Sequence, residues 1–150
     1  MYLKEVIDIN TYKKTEYYLY NYKNMQAEIK NILLEIEDIK NDYRGIEAIT
    51  YEEKSAPTNK FNSSVEQEIE QKEKYIEKLN RLITKKENMI KRVDNALEVL
   101  SDNERKLIEL RYFQNLTHFK IAEILKIDVS TVYRNKKEII NKLMNVMFIK

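Results

Sequence analysis

Between Tyr18 and Tyr43 the apolar side chains fall at Tyr18, Tyr22, Met25, Ile29, Ile32, Ile36, Ile39 and Tyr43, in steps of four and three that never slip. Such steps gather all of these residues into one narrow stripe of an α-helix; a strand, with its period of two, would scatter them over both faces. Charged and amide residues fill most positions between, so the stripe needs another helix to cover it. A second run has the same rhythm through Val65, Ile69, Lys72, Ile76, Leu79, Ile83, Lys86, Ile90, Val93, Leu97 and Leu100. Lys72 and Lys86 interrupt that stripe, while Tyr75, Leu82, Met89 and Ala96 widen it on one flank, which calls for more than one neighbour.

The two runs are separated by the chain's one proline, Pro57, with its one glycine, Gly45, upstream and a polar group made of Ser55, Thr58, Asn59, Asn62, Ser63 and Ser64. A β-rich or dinucleotide-binding α/β fold would need more turn glycines than this, so the expected class is all-α. The loop is expected near residues 50–64, with Ser64 and Gln67 as a capping box that opens the second helix. Helices of about 30 residues or more would each be roughly 45 to 55 Å long and fold back as an antiparallel, coiled-coil-like hairpin over residues 1–98. A lone two-helix hairpin buries little core, which favours a homo-oligomer formed through it over contact with RNA polymerase or another partner. The tyrosines at 17, 18, 20 and 22 are expected to be half-buried packing or a contact surface.

Several functions are excluded early. There is no cysteine and one histidine, no Gly-rich phosphate loop, and the carboxylates line helix exteriors, so neither catalytic residues, a metal site nor a cofactor is expected. The first ten residues carry Glu5 and Asp8 where a signal peptide needs an apolar core, and no apolar run approaches a membrane span. A cytoplasmic protein without membrane contact is expected. Charge is uneven: residues 1–100 hold 17 Lys and Arg against 19 Asp and Glu, and residues 101–150 hold 10 against 6. A net +4 on the last third is the kind of local footprint that nucleic acid attracts.

That last third, residues 99–150, reads as a three-helix, helix-turn-helix DNA-binding domain. Ser101 and Glu104 form a capping box, and a first helix runs through Leu107, Ile108, Leu110, Arg111 and Tyr112 to about Gln114. Thr117 caps a second helix with Ile121, Ala122, Ile124 and Leu125, and Asp128 caps a third that buries Val132, Ile139, Leu143 and Val146. Ala122 stands where two crossing helices need a small side chain, and Ile121, Leu125, Ile127 and Val132 supply the shared core around the turn. Lys126 occupies the left-handed turn position that glycine favours, at a cost of roughly 1 kcal/mol.

With Val132, Ile139 and Leu143 inward, the third helix turns Ser130, Tyr133, Arg134, Lys137 and Asn141 outward. Arg134 can pair bidentately with guanine, Ser130 and Tyr133 can reach base edges or a thymine methyl, and Lys137 and Asn141 suit phosphates. Thr117, His118 and Lys120 open the second helix and are expected to face the DNA backbone, His118 not being read as a metal ligand.

The residues Leu100-Ser101, Glu104-Arg105, Leu110 to Phe113, Leu116-Thr117, Ile121 to Glu123, Leu125, Ile127, Ser130 to Val132 and Lys142-Leu143 resemble region 4 of the sigma-70 factors, which binds the promoter −35 element. The resemblance implies that Val129, Ser130, Tyr133 and Arg134 read bases. Lys120 stands where that family usually has an acidic residue. Nothing upstream resembles the part of a sigma factor that melts DNA. A coiled N-terminal part before such a domain, with the stretch from Tyr51 to Ser64, instead resembles the ArpU/RinA-type late-gene regulators of bacteriophages and prophages. That resemblance implies a sequence-specific transcriptional regulator of phage or prophage origin, bound to double-stranded promoter or operator DNA and acting with host RNA polymerase. Two alternatives stand beside it: a phage DNA-packaging recognition subunit of the small-terminase kind, and a helical adaptor that binds protein.

Overall fold

A computed structural model describes the backbone of residues 2–52 and 59–149 and the side chains of residues 9–42 and 64–149. All regular structure among the described residues is helical: α1 Tyr2–Glu52, α2 Asn59–Leu97, α3 Asp102–Ile108, α4 His118–Leu125 and α5 Val129–Met147. A π-helical turn, Glu109–Phe113, continues α3. α2 begins upstream of Ser64, so the Ser64 to Gln67 pair lies within the helix and not at its start. Much of the loop expected near residues 50–64 is thereby helix; residues 53–58, Pro57 among them, lie outside the described residues. The run of good helix formers on both sides carries α1 through Gly45, a single interior glycine costing about 1 kcal/mol in a helix of 51 residues.

The chain divides into two compact units, residues 27–87 and, together, residues 1–26 with 88–150. In the first, Ile36, Leu79 and Ile83 are buried, with Ile29, Ile32, Ile39 and Ile76 packed against them. These are the stripe positions read from the heptads, and each lysine that interrupts the second stripe has an acidic partner. Lys86 is paired with Glu28 of α1, and Lys72 lies 3.3 Å from Glu68 one turn earlier on α2. The widened flank of α2 stays open here, with Tyr75 and Leu82 exposed.

The second unit divides the chain differently from the expected boundary at residues 98 and 99. Leu19 of α1, Val93 and Ala96 near the end of α2 and Leu100 just beyond it share one core with Leu107, Ile108, Ile139, Ile140, Leu143 and Met147. The reason is geometric: α3 and α5 leave an apolar face that neither covers, and the amphipathic starts and ends of the long helices close it. Leu19 lies one position off the Tyr18 stripe yet is 1% exposed, because these helices cover the flank that the stripe leaves bare. The tyrosines join in. Tyr18 meets Phe148 edge-on, Tyr20 meets Tyr112 edge-on and Tyr22 stacks on Phe113. Burial and the hydrogen bond that Tyr22 donates to Asp94 push its phenol up to about 12.

Polar ties fix the same junction. The Tyr112 hydroxyl donates to Glu16 Oε1 at 2.7 Å, and Lys136 Nζ of α5 lies 3.6 Å from the same oxygen. Burial first, then the Glu16 hydrogen bond, raise the Tyr112 pKa well above the ordinary phenol range. Arg105 donates to the Leu97 carbonyl and Arg92 to the Met147 carbonyl, which satisfies helix-end acceptors that have no partner within their own helices.

Candidate nucleic-acid interface

The three short helices are set by their ends. Ser101 accepts from the Glu104 amide while Glu104 accepts from the Ser101 amide, the reciprocal box expected from the sequence. That backbone hydrogen bond, reinforced by Lys142, holds the Glu104 carboxyl below its usual range. Thr117 caps α4 by accepting from the Lys120 amide at 3.2 Å. Asp128 stands at the start of α5, but its carboxylate makes no capping bond; its backbone carbonyl accepts from Thr131 and Val132 instead.

Between α4 and α5 the chain turns on Lys126, at φ 55° and ψ 47°, and the Ile127 amide reaches back to the Ala122 carbonyl at 3.1 Å. A left-handed residue with that bond is the usual way to stop a helix sharply. The cost of placing a Cβ there should be recoverable. Lys126→Gly is expected to stabilise the chain by about 0.5–1 kcal/mol, after the extra freedom of glycine in the unfolded chain is subtracted. A higher urea midpoint at unchanged slope would register it.

Ile121, Ala122 and Val132 are buried with Leu110, and Leu125 and Ile127 pack against them, so the five residues assigned to the shared core fall in one cluster. Val129, half-buried, packs there too, three positions before Val132 on the same face. Farther along α5 the inward face is Ile139, Ile140, Leu143, Met144 and Met147, while Val146, expected inside, is 41% exposed. Cover from α1 and α2 moves the buried face round by one position there.

Ser130, Tyr133, Arg134, Lys137 and Asn141 are exposed. Among the described residues, the side chains of Ser130, Arg134, Lys137 and Asn141 make no hydrogen bond or ion pair. An uncommitted row of one hydroxyl, one guanidinium, one ammonium and one amide beside a phenol ring can donate to base edges and phosphates. Thr117 and Lys120 are also exposed, the latter 3.2 Å from Glu123.

His118 sits differently from expectation. Only 9% exposed, it lies face to face with Tyr133, ring centroids 3.9 Å apart and planes 10° apart. The first turn of α4 lays this ring against Tyr133 of α5 and leaves little of it exposed. Sequence reasoning also passed over Phe119, 74% exposed beside it. An aromatic at the second position of a capped helix, off the Ile121 and Ala122 face, was the available signal. The described residues contain no cluster of groups able to hold a metal ion, and no helix among them is long and apolar enough to cross a membrane.

These features define an all-helical protein in which a small helical unit presents a polar, basic face on its last helix. The chain belongs to the family described as a protein of unknown function (DUF722), whose model matches residues 11–145. No curated protein and no solved structure matches it.

Proposed function

We propose that this protein is a cytoplasmic, sequence-specific DNA-binding regulator of transcription. In this reading α1 and α2 form an antiparallel hairpin, and α3 to α5 form a helix-turn-helix domain of the sigma region 4 kind. The observation that carries the reading is the exposed row Ser130, Tyr133, Arg134, Lys137 and Asn141 on α5, opposite a face that is buried. A helix supported from behind and bare in front is what entry into a major groove requires. The small Ala122 in the α4 and α5 cluster and the tight turn at Lys126 are consistent with it.

The sequence upstream of α3 bears no resemblance to the melting region of a sigma factor, so regulation in this reading would need host RNA polymerase or another partner. The resemblance to phage late-gene regulators supplies the context of a phage or prophage activator. The test is selection of bound duplexes from a randomised pool with the whole protein, at two salt concentrations. A single hexamer like a −35 element is expected, bound with an affinity that falls steeply as salt rises. Absence of any salt-dependent binding would overturn the reading in favour of a protein-binding adaptor. Enrichment by a ring of many subunits would point to DNA packaging.

A further inference from the structure

Among the described residues, the face-to-face pair of His118 and Tyr133 is the one place where a residue of the exposed α5 row is held by something other than its own helix. One face of the Tyr133 ring is covered by the imidazole, while the residue as a whole remains 49% exposed. A tyrosine on a free helix surface samples several rotamers, and a parallel ring stacked on one face removes most of them. We infer that His118 is a positioning residue: its uncharged imidazole, stacked on Tyr133, fixes the direction in which the phenol leaves α5, and protonation of that imidazole releases it. For its consequence at DNA this rests on the function proposed above; the stack itself does not.

The surroundings explain why the uncharged form is the one that stacks. His118 Nε2 is buried and has no hydrogen-bond partner among the described residues. With the proton on Nδ1, Nε2 leaves only a lone pair in that dry setting, whereas an imidazolium would place an N–H there with no acceptor. Every element packed around the ring adds charge to the balance. Arg111 of the π-helical turn and Lys136 of α5 oppose a cation, and Glu16 of α1 favours one. Neither cation is free to leave, since Arg111 donates to the Leu116 carbonyl at 2.9 Å and Lys136 is tied to Glu16. His118 is also the first residue of α4, at the positive end of the helix dipole. Burial first, then Arg111 and Lys136, lower its pKa from the ordinary 6.5. A folded-state value below the unfolded one means the unfolded chain takes up the proton first. The stack therefore contributes in full above about pH 6.5 and is lost as pH falls through the folded value.

His118 is the chain's one histidine, so a transition in mildly acidic solution has a single imidazole to account for it. The experiment follows the Tyr133 ring protons of the whole protein by NMR from pH 8 to pH 5, and in parallel the binding of a randomised duplex pool at both ends of that range. In the wild type, Tyr133 signals displaced by the neighbouring ring at neutral pH should return toward ordinary positions with a midpoint below 6.5. His118→Phe should keep the displacement at every pH and bind DNA without the acid loss. His118→Ala should lose the displacement at every pH and bind about 3- to 10-fold more weakly, the range set by one aromatic pair. Tyr133 signals that titrate alike in the wild type and His118→Phe, or an unshifted Tyr133 at neutral pH, overturn the inference. Ring signals that behave as expected with no duplex bound at any pH sustain the positioning role and overturn the DNA-binding reading instead.

Discussion

Leu19→Ala is expected to lower the unfolding free energy of the whole chain by about 2–5 kcal/mol, the range for truncating a leucine in a packed core. Leu19 is 1% exposed, and the cluster around it is drawn from α2, α3 and α5. Neither the stripe at Tyr18 nor the expected boundary at residue 98 would assign it such a role. Leu33→Ala is the control on the same helix: Leu33 is 52% exposed and its truncation should cost under about 1 kcal/mol. Urea unfolding followed by far-ultraviolet circular dichroism measures both. The same core makes a fragment of residues 99–150 a poor domain, because Ile140, Leu143 and Met147, each 1% exposed or less in the whole chain, would lose their cover from α1 and α2. A fragment that melted cooperatively at the midpoint of the whole protein would show that this shared core contributes little.

Arg134→Ala is expected to remove about 1–3 kcal/mol of discrimination at one base position, the value of a bidentate contact to guanine. Arg134 is exposed, and among the described residues its guanidinium makes no ion pair, so the substitution leaves no partner stranded inside the protein. Lys137→Ala is the contrasting variant. If its ammonium meets phosphate as proposed, the substitution should weaken binding across all sequences alike and flatten the dependence of affinity on salt by about one charge. Both are read from one duplex library at two salt concentrations. An unchanged base preference in Arg134→Ala would remove that side chain from direct readout, and a changed preference in Lys137→Ala would exchange the two roles.

Local rules carried far along this chain. The stripe positions Ile36, Leu79 and Ile83 are buried, the Ser101 and Glu104 box forms, Thr117 caps α4, and Lys126 takes the left-handed turn. Each of these depends on residues within one or two helical turns, where spacing and hydrogen-bonding capacity suffice. The misplacements share the opposite property. Val146 turned outward, His118 went from the surface into a stack, and the start of α2 moved upstream of the Ser64 pair. The Ser64 case is a competition between a local cap and continued helix, in which the sequence before Ser64 sustains the helix. The others turn on which helix arrives from elsewhere to cover a side chain.

The sequence alone therefore determined the class, the periodic stripes, the caps at Ser101 and Thr117 and the outward row on α5, because each follows from the pitch of a helix and the chemistry of its ends. The tertiary structure decided that α1 and the end of α2 complete the core of the C-terminal helices, and that His118 holds Tyr133 rather than facing outward. Those outcomes depend on contacts between residues far apart in the chain, as between Glu16 and Tyr112 or Tyr18 and Phe148, and no local pattern encodes such a pairing.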